Sequence, residues 1–322
     1  MAGPTLPRPF SWEKPLKKLA LLLVALAAPA FAQNAPFVVQ ERGEAFASLQ
    51  GAVDAIGGGS GTIVIAPGRY RQCAVQEAGD IAYVAAEPGR AIFEGRACDG
   101  KAALVLGGRS ARIEGLTFQN IRVADGNGAG IRIEDGDLAI AETLFRDSQS
   151  GILSRSDYDG EIRIERSTFS GLGRCDGDAA CAHSIYVGDE TRLSIARSRF
   201  ERGRGGHYVK SRGPVIEIVD SSFDDSAGTA TNYMIDLPHG AVGTIARNIF
   251  VQGKDKENRS AMIMVAAEGV EHSSQGLTIV ENEASLAPGM DYGTAFVADE
   301  SGDPLRIENN RLSDGVRRFE SR

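Results

Sequence analysis

The sequence predicts an all-β fold: a parallel β-helix, a solenoid of about ten coils with a short N-terminal capping helix. Three observations predict it. A degenerate phrase, apolar-x-Ile-x-x-(Ser/Asn/Thr)-x-Phe, recurs eight times. Its key isoleucines are Ile113, Ile140, Ile164, Ile195, Ile218, Ile245, Ile279 and Ile307, spaced 23 to 34 residues apart. Each repeat alternates apolar and other residues with period two, as in Leu138-Ala139-Ile140 and Ile216-Glu217-Ile218, which is the signature of strands rather than helices. No repeat carries a helical stripe with caps, which weighs against leucine-rich, ankyrin and tetratricopeptide arrays.

Within the phrase, each position has a structural task. The residue three after the key Ile is Leu116, Thr143, Ser167, Ser198, Ser221, Asn248, Asn282 or Asn310. Stacked coil on coil, these side chains can hydrogen-bond along the solenoid and satisfy turn backbone. Two residues later the Phe column points inward as an aromatic ladder. Both columns read as scaffold without chemistry.

Before the repeats, Phe46, Leu49, Val53 and Ile56 form one helical stripe, suited to covering the open apolar end of a solenoid. Gly57-Gly58-Gly59-Ser60-Gly61 breaks that helix. Thr62-Ile63-Val64-Ile65 and Ala66-Pro67-Gly68-Arg69-Tyr70 supply the first strand and its exit.

From the capping helix through GTIVIAPGRY and the coils, the chain resembles the right-handed parallel β-helix proteins of the pectate-lyase-like superfamily. The resemblance covers roughly residues 40–315. It implies a right-handed β-helix. It does not fix a reaction, because that fold hosts lyases, hydrolases, epimerases, esterases and non-catalytic proteins.

Residues 1–32 read as a secretory signal peptide, leaving 33–322 as a single β-helix domain. Lys14, Lys17 and Lys18 precede the apolar run Leu19 to Ala28, Pro29 ends it, and Ala30-Phe31-Ala32 offers a cleavage site. That run is short for a membrane span, and no later stretch approaches one. A secreted or periplasmic protein without membrane insertion after cleavage is expected, and a monomer. The formal net charge is −8, and it becomes more negative when the signal is removed. Such a chain is not a nucleic-acid binder by bulk electrostatics. Trp12, the sole Trp, leaves with the signal, so any sugar-stacking platform must use Tyr, Phe or His.

Four cysteines agree with export. Cys73 and Cys98 lie about one coil apart, where stacked neighbours approach disulfide distance. Cys175 and Cys181 can close the loop Asp176-Gly177-Asp178-Ala179-Ala180. Both bonds are expected. No CxxC or neighbouring His pair supports a metal there.

Aligning the second strand of each coil by its inward residues gives outward columns. One reads Leu153, Tyr186, Lys210, Asp236, Met264. The column before it reads His183, His207, Tyr233, and the column after it Gly188, Arg212, Pro238. At about 4.8 Å per coil, these polar residues share one patch, with His239 at its edge. Arg202, Arg204, His207, Lys210 and Arg212 make a basic island in an acidic chain, which suggests an anionic ligand.

Acidic, uronate-containing polysaccharides are the anionic polymers that β-helix grooves commonly hold. β-Elimination needs a cation on the carboxylate, a base for the C5 proton and an acid for the departing O4. Arg212 can pair with the carboxylate bidentately. Lys210 is the candidate base, and Tyr186, Tyr233 or His207 the acid. Lys210, Arg212, His207 and Tyr233 are therefore the candidate catalytic residues. His183, Tyr186, Asp236 and His239 are the candidate substrate contacts. The set is similar to that of β-helix lyases using Lys and Arg. It departs from the calcium-dependent ones, since no group of three or four outward carboxylates lies beside Lys210, and no cofactor is assigned. C5 epimerisation shares the first half-reaction. A hydrolase is disfavoured, because Asp236 stands alone in the aligned columns and Asp224-Asp225 reads as a turn away from the groove. No GxSxG elbow supports a Ser nucleophile. The rival reading is a non-catalytic β-helix that binds polysaccharide or serves as a structural protein of the cell envelope. Asn258-Arg259-Ser260 matches a glycosylation sequon, and Gly126-Asn127-Gly128 is a turn.

Overall fold

The structure is a computed structural model, and it describes residues 35–175 and 181–322. The expected signal segment and the Asp176–Ala180 loop lie outside the described residues. Three sheets run the length of the solenoid, one of twelve strands and two of ten. From Ser60–Ile65 onward, successive strands visit the sheets in turn, and each pairs in parallel with the strand one coil away. Ten parallel levels result, as the repeat predicts.

The repeated phrase builds one corner of every coil. Leu138–Ile140 pairs with Ile162–Ile164 in one sheet, and Phe145 with Phe169 in the next. Between them the chain turns through a left-handed residue: Gly115, then Glu142, Arg166, Arg197, Asp220, Arg247, Glu281 and Asn309, with φ between 46° and 69°. Such a conformation costs a non-glycine residue about 1–2 kcal/mol. The polar residue that follows offsets this. Thr143 N–H donates to Ser167 Oγ, Ser167 N–H to Ser198 Oγ, and Ser198 N–H to Ser221 Oγ. The chain continues through Asn248, Asn282 and Asn310, each accepting from the preceding backbone N–H at 2.9 Å. Inside the corner, Phe93, Phe118, Phe145, Phe169, Phe200, Phe223 and Phe250 stack at 4.7–5.8 Å between ring centroids. Both expected ladders are present, and both are core.

The capping helix spans Leu49–Ile56, with Ser48 accepting from Gly51 N–H at its start. Leu49, Ala52, Val53 and Ile56 are buried against the first coil. Phe46 is not on the helix. It ends the strand Glu44–Phe46, which pairs antiparallel with Phe37–Val39, because Ser48 caps the helix after it. Gln50 closes an otherwise open sheet edge: its amide donates to Val75 O and accepts from Val75 N–H. An edge so covered is no longer a template for foreign strands. Cys73–Cys98 and Cys175–Cys181 are both disulfide-bonded.

Two substitutions test the corner with opposite signs. Asn248→Ala removes an acceptor for Ser221 N–H and a donor to Ile218 O in a fully buried position, and is expected to cost about 1–3 kcal/mol. Glu281→Gly relieves a left-handed residue, and is expected to stabilise by about 1 kcal/mol. Urea unfolding of both variants measures the pair of signs.

Candidate functional site

The aligned columns meet on the outer face of the third sheet. Leu153 pairs with Tyr186, Tyr186 with Lys210, Lys210 with Asp236, and Asp236 with Met264. The preceding column stacks as rings. His183 and His207 are 4.8 Å apart between centroids, and His207 and Tyr233 are 5.5 Å apart. Tyr186 meets His183 edge-on at 5.2 Å. All eight candidate residues therefore lie in one cluster. They are less exposed than surface residues: Lys210 is 7 % exposed, Asp236 3 % and His239 6 %.

Burial sets the electrostatics. Lys210 Nζ stands 3.3 Å from Asp236 Oδ2 and pairs with Glu268 Oε1. The same Asp236 Oδ2 lies 3.4 Å from His207 Nε2. Burial pushes the Asp236 carboxyl up to about 6, against the opposing pull of Lys210. Burial also holds His183 down to about 3 and His207 well below the ordinary imidazole value, with the Lys210 charge adding to both. Both rings are thus neutral at pH 7. His183 Nδ1 accepts from His207 N–H at 2.9 Å, which puts the ring proton on Nε2.

Arg212 is the better exposed cation. Its Nε donates to Tyr186 Oη at 2.8 Å, Nη2 pairs with Glu268, and Nη1 meets His239 Nε2. Glu268 therefore bridges Lys210 and Arg212. Although burial raises its carboxyl, the hydrogen bond and charge of Lys210, with those of Arg212, hold it below the usual range. Tyr233 Oη accepts from Asn258 Nδ2 at 2.7 Å. The segment before Tyr233 is held by a fully buried pair, Lys256 Nζ to Asp225 Oδ2 at 3.0 Å, with Tyr208 Oη and Thr231 Oγ1 donating to the same carboxylate.

Asp236 is the one carboxylate of the aligned columns, as expected, but Glu268 joins it at Lys210 from a turn outside them. Glu268 follows the strand Ala261–Val265 in a turn through left-handed Ala266 and Gly269, beyond the reach of a strand alignment. Asp225, expected in a turn away from the groove, is buried inside the coil, paired with Lys256. His239, expected at the patch edge, is tucked behind Arg212. Asp189 and Glu271, which no motif singled out, face its other side.

Beside Tyr186 and Arg212 opens a groove of about 480 Å³, lined also by Arg132, Leu153, Arg155 and Asp189. A second groove of about 520 Å³ lies on the outer face of the first sheet, among Asp80, Arg112, Asp137 and Arg163. It is slightly larger, but its charges are exposed and pair locally, Arg163 with Glu161 and Arg109 with Asp80. The groove at Arg212 adjoins buried, shifted titratable groups, the mark of a functional site.

The buried imidazoles make stability pH-dependent. His183 binds a proton in the unfolded chain below about 6.5 but in the folded chain only near 3. Its contribution is therefore intact above about 6.5 and is lost as pH falls towards 3; His207 acts in the same direction. Asp236, raised to about 6, acts oppositely between its unfolded and folded values, offsetting one of the two. Unfolding free energy is expected to fall from pH 7 to 5. His183→Asn, which keeps an acceptor for His207 N–H, is expected to reduce that fall by up to about 1.4 kcal/mol per pH unit. Urea titrations at several pH values measure it, and an unchanged slope contradicts it.

No curated protein sequence matches the chain. Among solved structures, ORF18 of Geobacillus virus E2 is similar at 13% identity and a TM-score of 0.38, over 85% of this chain and 57% of that one. The chain thus spans little more than half the length of that protein. The family model described as the right handed beta helix region matches residues 102–317, in keeping with the resemblance to pectate-lyase-like proteins. Covering most of the coils, that match makes this chain a member of the right-handed β-helix family.

Proposed function

We propose that the chain is an exported enzyme acting on an acidic, uronate-containing polysaccharide, by abstraction of the proton next to a carboxylate. Elimination or C5 epimerisation follows from that step. The observation that carries the reading is the Glu268 carboxylate, held between Lys210 and Arg212. Two cations converging on one carboxylate, with Arg212 and Tyr186 lining the adjoining groove, are what a receptor for a sugar carboxylate needs. Glu268, whose side chain is 40% exposed, is the group that the substrate would displace. Export rests on the signal-like N-terminus and the two disulfides.

In this reading Arg212 takes the substrate carboxylate and makes the C5 proton more acidic. Lys210 passes one of its own protons to Asp236 Oδ2, 3.3 Å away, and then takes the proton from C5. The electron pair left on C5 forms the C4–C5 double bond as the C4–O4 bond breaks. Tyr186 Oη, already accepting from Arg212, has its own proton to give to O4. If a proton instead returns to C5 from the opposite face, the product is the epimer. Tyr233 and His207 order the cluster from the neighbouring column. The second reading, a binder without catalysis, is favoured by the ion pairs themselves, since both cations are already matched by Asp236 and Glu268.

Alginate, glucuronan, pectate and glycosaminoglycans are the substrates to test, read by ultraviolet absorbance of unsaturated product and by deuterium wash-in at C5. Lys210→Ala is expected to lower turnover by roughly 10²–10⁴-fold. Glu268→Gln weakens the competing anion and is expected to lower KM more than it changes kcat. Binding of these polymers with neither unsaturated product nor wash-in would establish the binder instead.

A further inference from the structure

Asp189, His239 and Glu271 come from the turns that follow three strands of the third sheet, Ile185–Val187, Ile235–Leu237 and Ala261–Val265. Backbone bonds tie those turns together. Glu271 and His272 N–H both donate to His239 O, and His272 Nε2 reaches Asp189 O at 2.9 Å. The three side chains converge: His239 Nδ1 is 3.4 Å from Asp189 Oδ1 and 3.2 Å from Glu271 Oε2. Their ligand atoms all lie within 4.8 Å of one another.

Two of these atoms are buried without a hydrogen-bond partner. His239 Nδ1 and Asp189 Oδ1 are both shielded from solvent, yet the angles between them make no hydrogen bond. Buried polar atoms are seldom left so, and an ion is one of the standard explanations. The spacing fits one. Donors at about 2.0–2.2 Å from a tetrahedral metal stand about 3.3–3.5 Å apart, close to the two distances observed. We propose that Asp189, His239 and Glu271 form a three-ligand site for a divalent first-row transition metal, with Zn²⁺ as the probe. The imidazole donor argues against Ca²⁺ and Mg²⁺, which take oxygen ligands.

The site touches the groove through the same ring. Arg212 Nη1 can only donate, so its contact with His239 Nε2 requires an unprotonated Nε2. A metal on Nδ1 moves the ring proton to Nε2 and sets two donors against each other. Metal binding therefore frees Arg212 from His239 and leaves it held by Glu268 and Tyr186 alone. This consequence rests on the role proposed above for Arg212; metal binding itself does not.

The test is calorimetric titration of the chelator-stripped, tag-free chain, without reductant, with ZnCl₂. About one equivalent is expected for the unaltered chain, lost in His239→Gln and weakened at least tenfold in Glu271→Gln. CaCl₂ is expected to give no stoichiometric heat. The Glu271 side chain is 57% exposed, so Glu271→Gln decides the matter if His239→Gln fails to fold. Absence of stoichiometric Zn²⁺ binding, or an equivalent that survives in Glu271→Gln with unchanged affinity, overturns the proposal. Neither outcome depends on activity towards any sugar.

Discussion

Everything in this molecule depends on the coil-to-coil register at one corner. A left-handed residue turns the chain, a Ser, Thr or Asn accepts from the neighbouring coil, and a Phe stacks on the Phe beneath it. The hydrogen-bond ladder and the ring stack fix the same spacing from outside and inside the turn. A slip of one residue would break both and turn every outward side chain inward. The register converts positions some 25 residues apart in sequence into neighbours in space. Lys210 and Asp236 are such a pair.

Burial then gives those neighbours their chemistry. An isolated surface lysine has little to say about function. Lys210 is different, because it lies between Asp236 and Glu268 in a place water hardly reaches. The fold carries a second buried lysine, Lys256, and the contrast is informative. Lys256 is sealed with Asp225 behind the sheet, its carboxylate partner saturated by Tyr208 and Thr231. Burial lowers its proton affinity, while Asp225 supports it. That pair braces the segment leading to Tyr233. Lys210 instead shares the half-exposed Glu268 carboxylate with Arg212, which lines a groove. A brace and a receptor are distinguished by what a ligand can reach.

The scaffold and the residues on its strands were legible in the sequence, because period-two alternation and the repeat length act as a ruler. That ruler brought His183, His207 and Tyr233 into one column and Tyr186, Lys210 and Asp236 into the next, as the stacking and pairing distances bear out. What lies on turns was not legible. Glu268, Asp189 and Glu271 follow strand ends by differing numbers of residues, and turn length sets where they point. Asp225 was misread for a related reason. Phe223 in, Asp224 out and Asp225 in continue the strand's alternation, but the lysine that makes a buried carboxylate tolerable lies a coil away in sequence.

The central assignment is that Lys210 and Arg212 form a carboxylate receptor on which Glu268 stands in for substrate. Its most direct test is a crystal structure of the chain bound to a short uronate oligosaccharide. A sugar carboxylate on Arg212, with Glu268 displaced and C5 facing Lys210, is the expected result. Sugar bound elsewhere on the solenoid, with Glu268 still bridging the two cations, would contradict it.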